Sequence, residues 1–185
     1  MKLFMFVAFA AILMIGVNTA SAQLPQPIHF LVNVTATPLE IGIDSDLEMA
    51  DFAAGQTYTA IPDAAGSGVL TPNDGVASIS SMGACNVLGD INAQVLVSFV
   101  LPSRLYPTGG TGNGYVETLF NSTSAAWGAS GAESNYFDPH NPTSMTLDAA
   151  GQAYIVLGGI FVVGSTVGPD AYEGEALVTA QYTGL

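Results

Sequence analysis

The sequence is almost without positive charge: Lys2 and Arg104 are its only basic side chains against 15 acidic ones, for a formal net charge of −13 at pH 7. Phosphate backbones and anionic membrane faces repel such a chain, which excludes nucleic acid as a partner. Cysteine is nearly missing as well. With Cys85 alone no intrachain disulfide can form, so packing must supply the stability even in an oxidising compartment. The two histidines, His29 and His140, together with that one thiol cannot complete a tetrahedral zinc site without carboxylate help. Charged residues of both signs make up 9% of the chain, where ordinary domains carry about 25%. Helical periodicity, internal repeats and interdomain linkers are lacking too. Disorder is nevertheless excluded by what replaces the charge: 49% of the residues are apolar, and aromatic and β-branched side chains are spread along the chain.

At the N-terminus, Met1-Lys2 precedes an apolar run from Leu3 to Val17 and then Asn18-Thr19-Ala20-Ser21-Ala22. Ala20-Ser21-Ala22 fits the small-residue cleavage pattern of a secretory signal, so residues 1–22 read as a signal peptide cut before Gln23. The apolar run falls short of the roughly 20 residues that cross a bilayer as a helix. No cysteine follows the cut to accept a lipid. The expectation is an exported chain with no stable membrane insertion after cleavage, in which residues 23–185 form one domain and Arg104 is the only remaining cation.

Runs rich in Val, Ile, Tyr, Phe and Thr alternate with Gly, Pro, Asn and Asp clusters, as in many short strands joined by turns. In residues 28–36, Ile28, Phe30, Val32, Val34 and Ala36 share one face and His29, Leu31, Asn33 and Thr35 the other, which predicts a half-buried strand ended by Pro38. Further strands are expected over 39–43, 57–61, 76–80, 93–101, 115–120 and 175–183. Residues 93–101 read as the central one, with Ala93, Val95, Val97, Phe99 and Leu101 in one inward row before Pro102. The last strand places Ala176, Val178, Ala180 and Tyr182 on one side. The apolar run 153–163 is interrupted by Gly158-Gly159, which marks a bulge or a close backbone approach and not a helix. Residues 106–113 and 138–142, with their Pro and Gly, read as loops. Some eight to ten strands at this spacing predict an all-β fold, a two-sheet β-sandwich.

Three stretches are family-like: Leu147-Asp148-Ala149-Ala150-Gly151-Gln152, Gly158-Gly159, and the run Ala171-Tyr172-Glu173-Gly174-Glu175-Ala176-Leu177-Val178-Thr179-Ala180-Gln181-Tyr182. They resemble the bacterial secreted family catalogued as domain of unknown function 4402. Ala84-Cys85-Asn86-Val87-Leu88-Gly89 followed by residues 95–102 resembles that family's middle strand pair, and Leu39-Glu40-Ile41-Gly42 its first strand. The resemblance spans most of the chain after residue 22. It implies an immunoglobulin-like sandwich exported by bacteria, with no activity to carry over. The closing pattern from Tyr172 and Gly174 to Tyr182 is also similar to chaperone-usher pilus subunits. This chain departs from them in the three residues after Tyr182, the lack of a cysteine pair and the lack of a donor segment separate from the domain.

Several residues suggest chemistry without completing it. Asp44, Asp46, Glu48 and Asp51 gather carboxylates as calcium would require, but Leu47 and Met49 stand where a calcium loop needs oxygen donors and a turn glycine. A solvated acidic loop is the plainer reading. Cys85, between Ala84 and Val87, reads as a small buried hydrophobe. His140 shares a loop with Asp138, yet Gly128-Ala129-Ser130-Gly131 misses the spacing of a nucleophile elbow, so no catalytic residue is assigned. Gly109-Gly110-Thr111-Gly112-Asn113-Gly114 has the glycines of a phosphate cradle without its lysine or its helix, and reads as a mobile loop. Asn33-Val34-Thr35 and Asn121-Ser122-Thr123 match the glycan acceptor pattern. Trp127, with Tyr115 and Tyr136, offers either a sugar-stacking platform or core packing.

No cofactor, metal or catalytic group is thus expected, and the chain reads as a non-enzyme. The leading expectation is a secreted or cell-surface structural or adhesive subunit, pilin-like in that it associates with itself or other surface proteins through sheet edges. The alternative is an extracellular carbohydrate- or protein-binding module without catalysis.

Overall fold

Alternation at period two, broken by Gly and Pro turns, gives sixteen strands and no helix among the described residues, which in this computed structural model are 37–63, 67–72 and 75–183. All belong to one unit spanning residues 35–185. The signal peptide expected over 1–22, the strand expected over 28–36, His29 and Asn33 lie outside the described residues.

The strands pair antiparallel throughout. Five form a sheet in the order β1 (Glu40–Ser45), β6 (Gly83–Leu88), β13 (Gln152–Leu157), β10 (Ala125–Ala129), β11 (Ala132–Phe137). A three-stranded sheet has β7 (Gln94–Val100) between β12 (Thr143–Thr146) and β16 (Leu177–Tyr182). A six-stranded sheet runs β15 (Tyr172–Glu173), β8 (Arg104–Pro107), β9 (Val116–Leu119), β14 (Gly159–Val163), β3 (Thr57–Pro62), β4 (Gly68–Thr71). A two-stranded ribbon joins β2 (Glu48–Ala50) to β5 (Ser78–Ser81).

The five- and three-stranded sheets pack face to face, so the all-β sandwich expected from the sequence is present. Cys85, Val87, Ala125, Phe137, Ala153 and Ile155 meet Val95, Val97 and Met145 in a first core. Val95 and Val97 are the fully buried members of the inward row, with Phe99 partly buried beside them, whereas Ala93 and Leu101 fall just outside β7. On β16, Val178, Ala180 and Tyr182 turn toward this core and Leu177, Thr179 and Gln181 toward solvent, as the alternation predicts.

A second core was not expected. Tyr58, Ala60, Val116, Phe161 and Val163 of the six-stranded sheet close over Met82, Ala77 and Val156. Phe52 stacks on Tyr58 at 4.1 Å between ring centroids. Val156 lies on the face of β13 opposite to Ile155, so this one strand serves both cores. Between β13 and β14 stands only Gly158, where the chain leaves one sheet for the other. Its N–H donates to the Ser124 carbonyl at 2.7 Å, and a Cβ there would collide with the Ala60 carbonyl oxygen. The close backbone approach read from Gly158-Gly159 is therefore a crossover between sheets.

Several elements differ from expectation. Tyr106 and Pro107, read as loop, end β8, because pairing with β9 and β15 outweighs the local Pro and Gly signal. The hairpin β10–β11 turns at Ser130-Gly131, with Gly131 at φ 73°, a two-residue turn of the kind that needs a left-handed glycine. The acidic stretch is not one loop: Asp44 lies in β1 and Glu48 in β2, and only Asp46 and Asp51 lie outside strands.

Candidate functional site

The groups singled out in the sequence are not brought together. His140 Nδ1 sits 3.1 Å from Asp138 Oδ1, but the same oxygen accepts the His140 backbone N–H at 3.0 Å, so the pair closes a local turn. Among the described residues no serine or threonine hydroxyl is hydrogen-bonded to His140. Ser130 occupies the turn of the β10–β11 hairpin. Cys85 is buried in the first core; burial, with the Asp44 charge second, pushes its thiol up to about 11, which keeps it protonated at neutral pH. Asp44, Asp46, Glu48 and Asp51 are all exposed, and Asp44 Oδ1 accepts from Asn86 Nδ2 at 3.2 Å. Among the described residues no group of three or more His, Cys, Asp or Glu is placed to hold a metal ion.

Trp127, Tyr115 and Tyr136 do not form one platform. Trp127 packs against the first core. Tyr136, one register step away on β11, points to the other face and donates from its hydroxyl to the Pro62 carbonyl at 2.9 Å. Tyr115 belongs to the six-stranded sheet's side, under the Arg104 guanidinium at 4.0 Å. The residue that sequence reading missed altogether is Glu133, only 3% exposed, which accepts from the Gly131 N–H at 2.9 Å while its Oε2 has no partner among the described residues. No motif surrounds it that could have drawn attention to it.

The glycine-rich loop holds an anion after all, but the anion is the chain's own. Asp170 accepts backbone N–H bonds from Gly109 (2.8 Å), Thr111 (3.0 Å), Gly112 (2.6 Å) and Ala171 (2.8 Å). The glycines are needed because a Cβ at Gly109 or Gly112 would run into the Asp170 side chain. These donors, Gly112 first, hold the carboxyl below the usual carboxylate range. With the folded value depressed, the clasp is fully formed above the ordinary aspartate range and is lost as pH falls through the lowered value. Asp170→Asn is expected to loosen the 108–114 loop, read as a several-fold faster chymotryptic cut after Tyr106 or Tyr115 at neutral pH. Equal rates for both proteins at neutral pH would refute the clasp.

Among the described residues one strand edge is left open. Each other edge of the three larger sheets carries, among the described residues, a feature that discourages further pairing. β1 has Glu40, Asp44 and a register shift between Ile43 and Ser45; β11 pairs through a shift at Trp127/Gly128 and carries Glu133. β12 and β4 are four residues long, and β15 is two. By contrast β16, Leu-Val-Thr-Ala-Gln-Tyr, is six residues with no charge, no proline and an unbroken register against β7. Its far edge has no neighbouring strand among the described residues. At its start Leu177 and Val100, directly opposite in the register, are 59% and 66% exposed. At its end the Tyr182 hydroxyl accepts from Asp90 N–H at 2.8 Å and donates to the Thr37 carbonyl at 2.7 Å, while Asp90 takes both the N–H and the hydroxyl of Thr37. The strand is thus fixed at its C-terminal end, and among the described residues no strand pairs with its outer row of backbone groups.

No family model matches this sequence, and neither a curated protein nor a solved structure matches it. Among the described residues no helix is long and apolar enough to cross a membrane.

Proposed function

We propose that this chain is an exported structural or adhesive subunit, released or held at the cell surface, that associates with copies of itself or with other surface proteins through the open edge of β16. The observation that carries the reading is that uncharged, proline-free, unbulged strand at the rim of the sandwich. Backbone N–H and C=O groups on such an edge bind an added strand, and the exposed Leu177–Val100 pair offers an apolar foothold beside it. In a chain of net charge −13, two copies repel least where neither carries charge, which favours an edge without acids. The signal-like residues 1–22 and the resemblance to domain of unknown function 4402 support an exported role of this kind.

Light scattering on size-exclusion fractions of the purified protein tests it. Wild type should show a mass that rises with concentration, and Thr179→Lys/Gln181→Lys, which sets charge on the exposed side of the edge strand, should weaken association by about tenfold or more while leaving the melting temperature unchanged. A wild type that stays monomeric at high concentration sinks the reading.

A further inference from the structure

The outer face of the six-stranded sheet carries a cation and two aromatic rings that nothing in the fold requires there. The alternation that turns Leu105, Val116 and Thr118 inward leaves Arg104 and Tyr106 of β8, Glu117 and Leu119 of β9, and Tyr115 just before β9 exposed. Arg104 stands opposite Glu117, and Tyr106 opposite Glu173 on β15. Tyr106 and Tyr115 are 55% and 39% exposed, with ring centroids 6.4 Å apart and planes tilted by 52°. Among the described residues the one ion pair is His140–Asp138, so Arg104, the only arginine of the chain, pairs with none of the described acids and lies over the Tyr115 ring instead. A guanidinium so placed keeps its outward N–H donors free for a ligand.

We propose that this face is a binding site for a neutral polysaccharide. Pyranose rings present C–H faces that stack on exposed tyrosines and hydroxyls that both donate and accept. Tyr106 and Tyr115 supply the stacking surface, Arg104 the donors, and Glu117 and Glu173 the acceptors on either side. The balance of charge selects a neutral chain: one cation between two carboxylates, in a protein of net charge −13, repels a polyanion. The open sheet face beyond Tyr115, through Leu119 and Ile160, which are adjacent in the register, gives an extended glycan room to lie across the strands. This site is on a different sheet from β16, so it stands or falls separately from association through that edge.

The test is titration of the purified protein with cellohexaose, xylohexaose and chitohexaose, followed by amide chemical shifts and by isothermal calorimetry, with hexagalacturonate as the acidic probe. At least one neutral hexasaccharide should bind and move the amides around Tyr106 and Tyr115. Tyr106→Ala/Tyr115→Ala should lose about tenfold or more in affinity with an unchanged melting temperature, because both rings are exposed. Arg104→Gln should lose a smaller factor, and Trp127→Phe, in the five-stranded sheet against the first core, should bind as wild type does. Silence of all three neutral sugars at millimolar concentration, binding that survives the double tyrosine variant, or preference for hexagalacturonate would each overturn the site.

Discussion

Replacing Gly158 by alanine is expected to destabilise the fold by about 3 kcal/mol, measured as a fall in the urea midpoint with the slope unchanged. The residue is the whole connection between β13 and β14, so its backbone can shift only if two sheets shift with it. An added methyl would strike the carbonyl oxygen of Ala60 and come within 2.9 Å of Met82 Cε. Methionine can move aside, but the Ala60 carbonyl belongs to β3, whose partner across the ladder is Gly159. The hydrogen bond from Gly158 to Ser124 would be strained as well. Gly131→Ala is the control: it sits at φ 73° with nothing within 4 Å of an added Cβ, so conformational strain alone acts there and the loss should stay near 1 kcal/mol. Equal effects at the two glycines would show that crowding at the crossover is not what matters.

Ile155→Ala should cost between about 2 and 5 kcal/mol, the range for removing most of a large aliphatic side chain from a closed core. Ile155 is 1% exposed, stands between Cys85 and Trp127 in the ladder and touches the layer supplied by β7 and β12. The neighbouring strands are held in register on both sides, so the space left behind cannot collapse easily. Ile160→Ala, on the outer face of the six-stranded sheet, removes the same atoms from a half-buried position and should cost well under half as much. Chemical denaturation of both variants checks the difference, and comparable losses would mean that the two faces of these strands are not buried as described.

The parts of the fold legible in the sequence are those written in local alternation. Val95 and Val97 on β7, and Val178, Ala180 and Tyr182 on β16, show the inward rows expected of them, because a period of two leaves no choice of face once one face is buried. Gly158-Gly159 was legible as a close approach because only glycine tolerates one. Elements built from small or turn-forming residues were not. The β10 sequence, Ala-Ala-Trp-Gly-Ala, has no β-branched residue, and its strand exists through pairing with β11 and β13 on both sides. The glycine loop hid its role for another reason: Asp170, which fills it, is 58 residues from Gly112, and no nearby spacing announces such a contact. Trp127, Tyr115 and Tyr136 misled in the opposite sense, since closeness along the chain says nothing about which face or sheet each ring joins. The open edge could be expected in kind, while its identity depended on seeing which of the other rims are short, charged or irregular.

The shared strand has one more consequence. Because β13 lends Ile155 to one apolar interior and Val156, the next residue, to the other, neither interior can dissolve while its neighbour persists. The two interiors are thereby coupled, since pulling that strand from its ladder would bare apolar surface in both.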